Sequence, residues 1–147
     1  MTNDDFFDPE DTIGFLIWDA NRAMNREFSD RIAQHGVTLG LWPFLRVLWE
    51  GDGLTQRELS EKVRMKGPTT VAALNKLEDK GFVRRQGNKN DARKINVFLT
   101  PEGRKIYRKV IPEVEAVNLQ CLANLSPTEQ AAFKDMIRRV RNSVTGK

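Results

Sequence analysis

The chain is 147 residues long, 39% apolar and 30% charged, with a formal net charge of +4 and a pI near 9.4. That is long enough for one compact domain with a real core and too short for two independent ones, and the composition is that of an ordinary globular chain and not of a disordered tail. The basic balance favours a polyanionic partner without choosing nucleic acid over a membrane surface. No apolar run approaches the roughly 20 residues that a membrane span needs. The opening stretch from Met1 to Asp11 is acidic and lacks a basic segment followed by an apolar one, so no secretory signal is expected. The one cysteine, Cys121, allows no intramolecular disulfide and suits a reducing compartment, so the cytoplasm is the expected location.

Asp8-Pro9-Glu10-Asp11 has the form of a helix start, with an N-cap, an early proline and acids near the positive end of the dipole. Ile13, Leu16, Ile17, Ala20, Met24, Phe28 and Ile32 then recur at three and four residues down to a stop at His35-Gly36. A helix of that span is roughly 40 Å long at 1.5 Å per residue, more than a small domain's core requires, so part of it should pack on something else. From Thr38 to Glu50 the chain carries Leu41, Phe44, Leu45, Val47, Leu48 and Trp49, and Pro43 requires this helix to begin within a residue or two of it. Gly51-Asp52-Gly53 breaks the chain before a short extended piece at Leu54.

The stretch from Thr55 to Leu99 organises the rest. Thr55 and Glu58 form a capping box, and Leu59 and Val63 follow one turn apart. After a break at Arg64 to Gly67, Pro68 suits the start of a second helix, in which Thr70, Ala73, Leu74 and Leu77 make one apolar-leaning stripe and Lys80-Gly81 the stop. The opposite face carries Pro68, Thr69, Val71, Ala72, Asn75 and Lys76, side chains small or polar enough to approach a groove floor. Beyond Gly81 the period falls to two. Phe82-Val83-Arg84-Arg85 and Ile95 to Leu99 flank a polar loop holding Lys89, Asp91, Ala92 and Arg93, which predicts a hairpin with a basic tip. The stretch holds eleven Lys or Arg against five acids, a net of +6, so the remainder of the chain is slightly acidic. A basic patch confined to a helix-turn-helix module is the electrostatic footprint of a duplex-DNA binder.

After the hairpin, Thr100-Pro101 starts a long helix with Ile106, Val110, Val114, Val117, Cys121 and Leu122, kinked by Pro112. Ser126-Pro127-Thr128-Glu129 is a second capping box, followed by Phe133, Met136, Ile137, Val140 and Val144. Both ends of the chain are thus apolar-striped helices outside the basic module, and the economical reading is that they interleave with a twin chain.

Thr55-Gln56-Arg57-Glu58-Leu59, Leu77-Glu78-Asp79-Lys80-Gly81-Phe82-Val83 with Arg85, Asp91-Ala92-Arg93, and Leu99-Thr100-Pro101-Glu102-Gly103 stand in the order and spacing of a known family. The chain resembles the MarR-type winged helix-turn-helix regulators of bacteria and archaea. Ala72 and Ala92 depart from the basic residues many members place there. The resemblance implies a mainly α fold with a small β-hairpin, a single domain over residues 1–147. Within it, a winged helix-turn-helix lies at 38–99, flanked by dimerisation helices at 9–36 and 101–145, with Leu54 pairing with the wing.

On this reading the second helix enters a major groove, where Asn75 pairs with an adenine edge and Val71 or Ala72 meets a thymine methyl. Arg93 enters the adjacent minor groove, braced by Asp91, and Arg84, Arg85 and Lys89 hold phosphates. Half-burial of Val71 and a structural ion pair at Arg85 are the competing roles. The expected partners are a pseudo-palindromic double-stranded DNA site and a second copy of the chain, with no membrane partner.

The resemblance further implies a small aromatic, anionic effector between the dimer layer and the DNA-reading module. Trp18, Arg22, His35, Phe44 and Arg46 are its candidate contacts, against a core role for Trp18 and Phe44 and a helix-dipole role for His35. No cofactor is expected. His35 and Cys121 are each the sole residue of their type and stand far apart, which argues against a metal site, and Cys121 is expected in an interface helix as an inert thiol. There is no phosphate-cradling glycine loop and no nucleophile with a base at recognisable spacing, so no enzyme activity is expected. A winged-helix module that binds protein is the alternative, disfavoured by the cationic wing with Arg93.

Overall fold

The computed structural model describes residues 7–146. The first six residues, part of the acidic opening read as carrying no secretory signal, lie outside that range. Asp8 caps only a 3-10 turn at Pro9–Asp11, through Oδ1 to the Glu10 N–H at 2.9 Å. The long helix α1, Ile13–Ala33, is capped instead by Thr12, whose hydroxyl accepts from the Phe15 N–H at 3.2 Å. It ends in a turn closed by Gly36 at φ +75°, a conformation glycine adopts without a Cβ penalty. Helix α2, Trp42–Glu50, begins one residue before Pro43, as that ring demands.

Strand β1, Leu54–Thr55, leads into α3, Gln56–Val63, whose capping box between Thr55 and Glu58 is fully formed. Arg64 takes the left-handed conformation at φ 59°, and the chain re-enters helix as α4, Gly67–Asp79, with Pro68 in the first turn. Strands β2, Val83–Gly87, and β3, Ile95–Leu99, form the wing. The sheet order is β1-β3-β2, antiparallel throughout, with Leu54 opposite Val97 and Arg85 opposite Val97 on the other side.

The core sits inside this module. Phe44, Leu45 and Leu48 of α2 pack with Leu59 of α3, Leu74 and Leu77 of α4, and Val83 and Val97 of the sheet. The stripe Thr70, Ala73, Leu74 and Leu77 is buried as its spacing predicts. Thr70 is a polar member of that stripe, and its hydroxyl is satisfied by Ser60 Oγ at 2.9 Å and the Lys66 carbonyl at 3.2 Å, which locks the turn between α3 and α4.

The helix expected after the wing is two helices, α5, Pro101–Lys105, and α6, Tyr107–Leu122, interrupted at Ile106, with Pro112 inside α6. The reason is a tertiary bond. The Gly103 carbonyl, which would accept from Tyr107 in a continuous helix, accepts from the Trp49 indole N–H at 2.8 Å. Gly103 is also pressed so tightly on the wing that a Cβ there would collide with the Phe82 carbonyl oxygen.

Helix α7, Pro127–Thr145, starts at the predicted capping box of Ser126 and Glu129 and has none of its residues buried. Its Phe133, Met136, Ile137, Val140 and Val144 stand exposed, as do Ile13, Leu16, Ile17 and Met24 of α1. Cys121, expected inside an interface, is exposed in the single chain. Among the described residues no helix is long and apolar enough to cross a membrane, and no group of three His, Cys, Asp or Glu side chains is placed to hold a metal ion.

Candidate nucleic-acid interface

Burying Thr70, Ala73, Leu74 and Leu77 leaves the other side of α4 facing solvent. Pro68, Thr69, Val71, Ala72, Asn75 and Lys76 are all exposed, Val71 at 41%, and they form a continuous row along the helix. The core therefore sets the azimuth of α4 and so decides which side chains a duplex would meet. The same hydrophobic stripe that stabilises the module aims the polar one.

The wing tip is built by local hydrogen bonds. Asn88 Oδ1 accepts from the backbone N–H groups of Asn90 at 2.9 Å and Asp91 at 3.0 Å, while Asn88 Nδ2 donates to Asn96 on the facing strand at 3.0 Å. Asp91 then receives Arg93, with Nε at 3.2 Å from Oδ1 and Nη2 at 3.3 Å from Oδ2. Arg93, foremost, and its own backbone N–H hold the Asp91 carboxyl below the ordinary aspartate range. The Arg93 side chain is 90% exposed, so Asp91 holds one edge of the guanidinium while its Nη1 side faces solvent. Lys89 is exposed in the same loop.

Arg84 and Arg85 part company because successive strand residues face opposite sides of a sheet. Arg84 stacks on Phe98, with its guanidinium carbon 4.5 Å from the ring centre, and donates to Gln86 Oε1 at 2.7 Å on the outer face. Arg85 turns inward to the helices, where the ion pair that competes with a phosphate role is formed. It bonds Glu78 through Nε and Nη2, each at 3.2 Å, Gln56 at 3.4 Å and Asn75 at 2.7 Å, and its side chain is only 22% exposed. Arg85 in turn holds the Glu78 carboxyl below the ordinary glutamate range. Gln56 and Glu78 gave no local sequence signal for this role, since they meet Arg85 only once α3, α4 and β2 are packed.

The residues expected at an effector separate. Trp18 and Arg22 do meet, with the guanidinium 5.3 Å from the ring centre, and Trp18 is 55% exposed, not the core residue its type suggests. Phe44 is 0% exposed at the centre of the core, where it presents no surface to a ligand. Arg46 is exposed and paired with Glu50 at 3.4 Å. His35, expected to act on the helix dipole, bonds a side chain instead: Nε2 lies 3.1 Å from Glu113 Oε1, which also receives Arg31 at 3.5 Å on its other oxygen. A cavity of about 220 Å³ that the sequence did not suggest opens between α1 and α6, lined by Met24, Phe28, Trp42, Val117 and Cys121.

A helix pair joined by a tight turn, a solvent-facing second helix and an adjoining cationic two-stranded wing define a winged helix-turn-helix DNA-binding protein. The MarR family model matches residues 37–95, the span of the module. The transcriptional regulator HosA of Escherichia coli O157:H7 is 32% identical over 107 residues, covering 73% of this chain and 79% of HosA. The HTH-type transcriptional regulator TtmR of Methylorubrum extorquens is 32% identical over 96 residues, 65% of this chain, and the match spans only 49% of TtmR's length. Among solved structures, the PcaV transcriptional regulator of Streptomyces coelicolor in complex with its natural ligand superposes with a TM-score of 0.82 at 26% identity, covering 95% of this chain and 98% of that one. The chain belongs to the MarR family of transcriptional regulators.

Proposed function

We propose that the protein acts as a homodimer that binds a pseudo-palindromic double-stranded DNA site in the cytoplasm, represses transcription there, and is released by a small aromatic, anionic effector. The observation that carries the reading is the exposed row Pro68, Thr69, Val71, Ala72, Asn75 and Lys76 on α4, beside a wing that holds Arg93 open to solvent. The row enters the major groove, Arg93 enters the neighbouring minor groove, and Lys89 and Arg84 at the wing add phosphate contacts. The apolar stripes of α1 and α7 join two copies, so that two recognition helices address one face of the duplex about one helical turn apart. Occupancy of the site by such a dimer excludes the transcription machinery.

The Trp18 and Arg22 pair on α1 supports the effector part of the proposal, because an aromatic face beside a guanidinium suits an aromatic carboxylate. The likeness to a regulator solved with its natural ligand points the same way. An electrophoretic shift assay on the DNA upstream of the protein's own gene, repeated over a salt series, tests the reading. Sequence-selective binding that weakens steeply with salt is expected. Binding that is equal on unrelated duplexes, or absent while a protein partner is retained, would favour the protein-interaction module.

A further inference from the structure

Arg85 Nη2 donates to Asn75 Oδ1 at 2.7 Å. A guanidinium has donors only, so the amide atom facing it must be the oxygen, and the Nδ2 end of Asn75 is the one turned away. Arg85 is itself immobilised by Glu78 of α4 and Gln56 of α3, and its backbone N–H donates to Glu78 Oε2 at 3.2 Å. Asn75, by contrast, is exposed in the row between Thr69 and Lys76. A largely buried cation thus grips one end of an exposed amide whose other end is free to meet a ligand.

We propose that Arg85 is a positioning residue for base discrimination: it holds Asn75 as a hydrogen-bond donor toward the major groove, so that the contacted position of the DNA site selects guanine first and cytosine last. The inference rests on the DNA-reading proposal above. An unrestrained asparagine reads adenine with both ends of its amide, accepting from N6 and donating to N7. With the oxygen held by a charged donor, Nδ2 alone is presented. Guanine offers it two acceptors, N7 and O6; thymine offers O4, adenine offers N7 beside a donor, and cytosine offers only the N4 donor. The adenine pairing expected from sequence gives way to donor readout because Arg85 arrives from a strand ten residues further along the chain.

The test is selection by the full chain from a library of randomised duplexes. The position whose base preference collapses in Asn75→Ala is the one Asn75 reads. There the wild-type chain should favour guanine over cytosine by about tenfold, the scale of one mismatched pair. Arg85→Lys keeps the charge but has a single nitrogen that cannot span Glu78, Gln56 and Asn75 together. It should reduce the preference at that one position to about twofold and leave the other positions selective. Asn75→Asp retains the Arg85 bond but presents an acceptor, and should move the preference to cytosine or adenine. Full guanine preference in Arg85→Lys, equal loss at every position, or guanine preference surviving in Asn75→Asp would each overturn the inference. Should Arg85→Lys fail to fold by circular dichroism, Asn75→Asp decides alone. A wild-type chain without base preference at any position would instead overturn the DNA-reading proposal itself.

Discussion

Trp49 and Gly103 are joined by an indole N–H to carbonyl bond of 2.8 Å that ties α2 to the first turn after the wing. The same glycine abuts the Phe82 carbonyl, so the wing's root, the scaffold helix and the start of the C-terminal helices converge on one residue without a side chain. Gly103→Ala should destabilise the fold by about 2 kcal/mol, since the atom in the way is backbone and cannot rotate aside. Urea unfolding followed by circular dichroism measures it, and a variant as stable as wild type would show that the contact relaxes freely.

Arg93→Ala should weaken DNA binding while changing stability by less than about 0.5 kcal/mol, because its ion pair with Asp91 is exposed. If Arg93 meets a phosphate-lined minor groove, the slope of log affinity against log salt should fall by about one contact. Fluorescence anisotropy over a salt series reads both quantities, and wild-type affinity would remove the wing from the mechanism.

Glu113 gives a pH signature. The His35 hydrogen bond first, and Arg31 after it, hold its carboxyl below the ordinary glutamate range, with desolvation opposing them. A carboxyl whose folded value is depressed takes up fewer protons folded than unfolded, so its contribution is complete above the unfolded value, near pH 4.3, and is lost as the pH falls through the folded one. Glu113→Gln should therefore lower Tm at about pH 6, and its difference from wild type should shrink toward about pH 3. A difference constant over that range would mean that the charge of Glu113 is not involved.

Ile137 lies on the exposed stripe of α7, beside a groove of about 650 Å³ shared with Met24, Cys121 and Phe133. Since no α7 residue belongs to the core of the winged module, Ile137→Glu should leave that module folded and yield a monomer by sedimentation velocity, with weaker DNA binding. A variant that stays dimeric would place the interface elsewhere.

Aromatic carboxylates should raise Tm in thermal-shift screening, and Arg22→Ala should abolish the rise. A ligand that stabilises the chain yet leaves its DNA affinity unchanged would argue against effector control, because regulation requires coupling between the two sites.

Local chemistry made much of the fold legible. The capping boxes at Thr55 and Ser126, the stripe from Thr70 to Leu77 and the stop at Gly81 each depend on residues within a turn or two of one another, and all stand where their spacing puts them. What was not legible depends on contacts between distant segments. Trp18 and Phe44 are both large aromatics with a core role as the default, yet one is exposed and the other fully buried, because Phe44 lies in the core cluster of the module and Trp18 does not. The division at Ile106 has no local signal, since the Gly103 carbonyl there accepts from Trp49, more than fifty positions away. Arg85 was equally suited to a phosphate or to an ion pair within the module until the register of β2 against β3 turned it inward.

Sedimentation velocity of the full chain on a labelled duplex carrying its selected site tests the central claim most directly. Two chains per duplex, with both half-sites required, are predicted. One chain per duplex at saturation, or full affinity for an isolated half-site, would contradict the account.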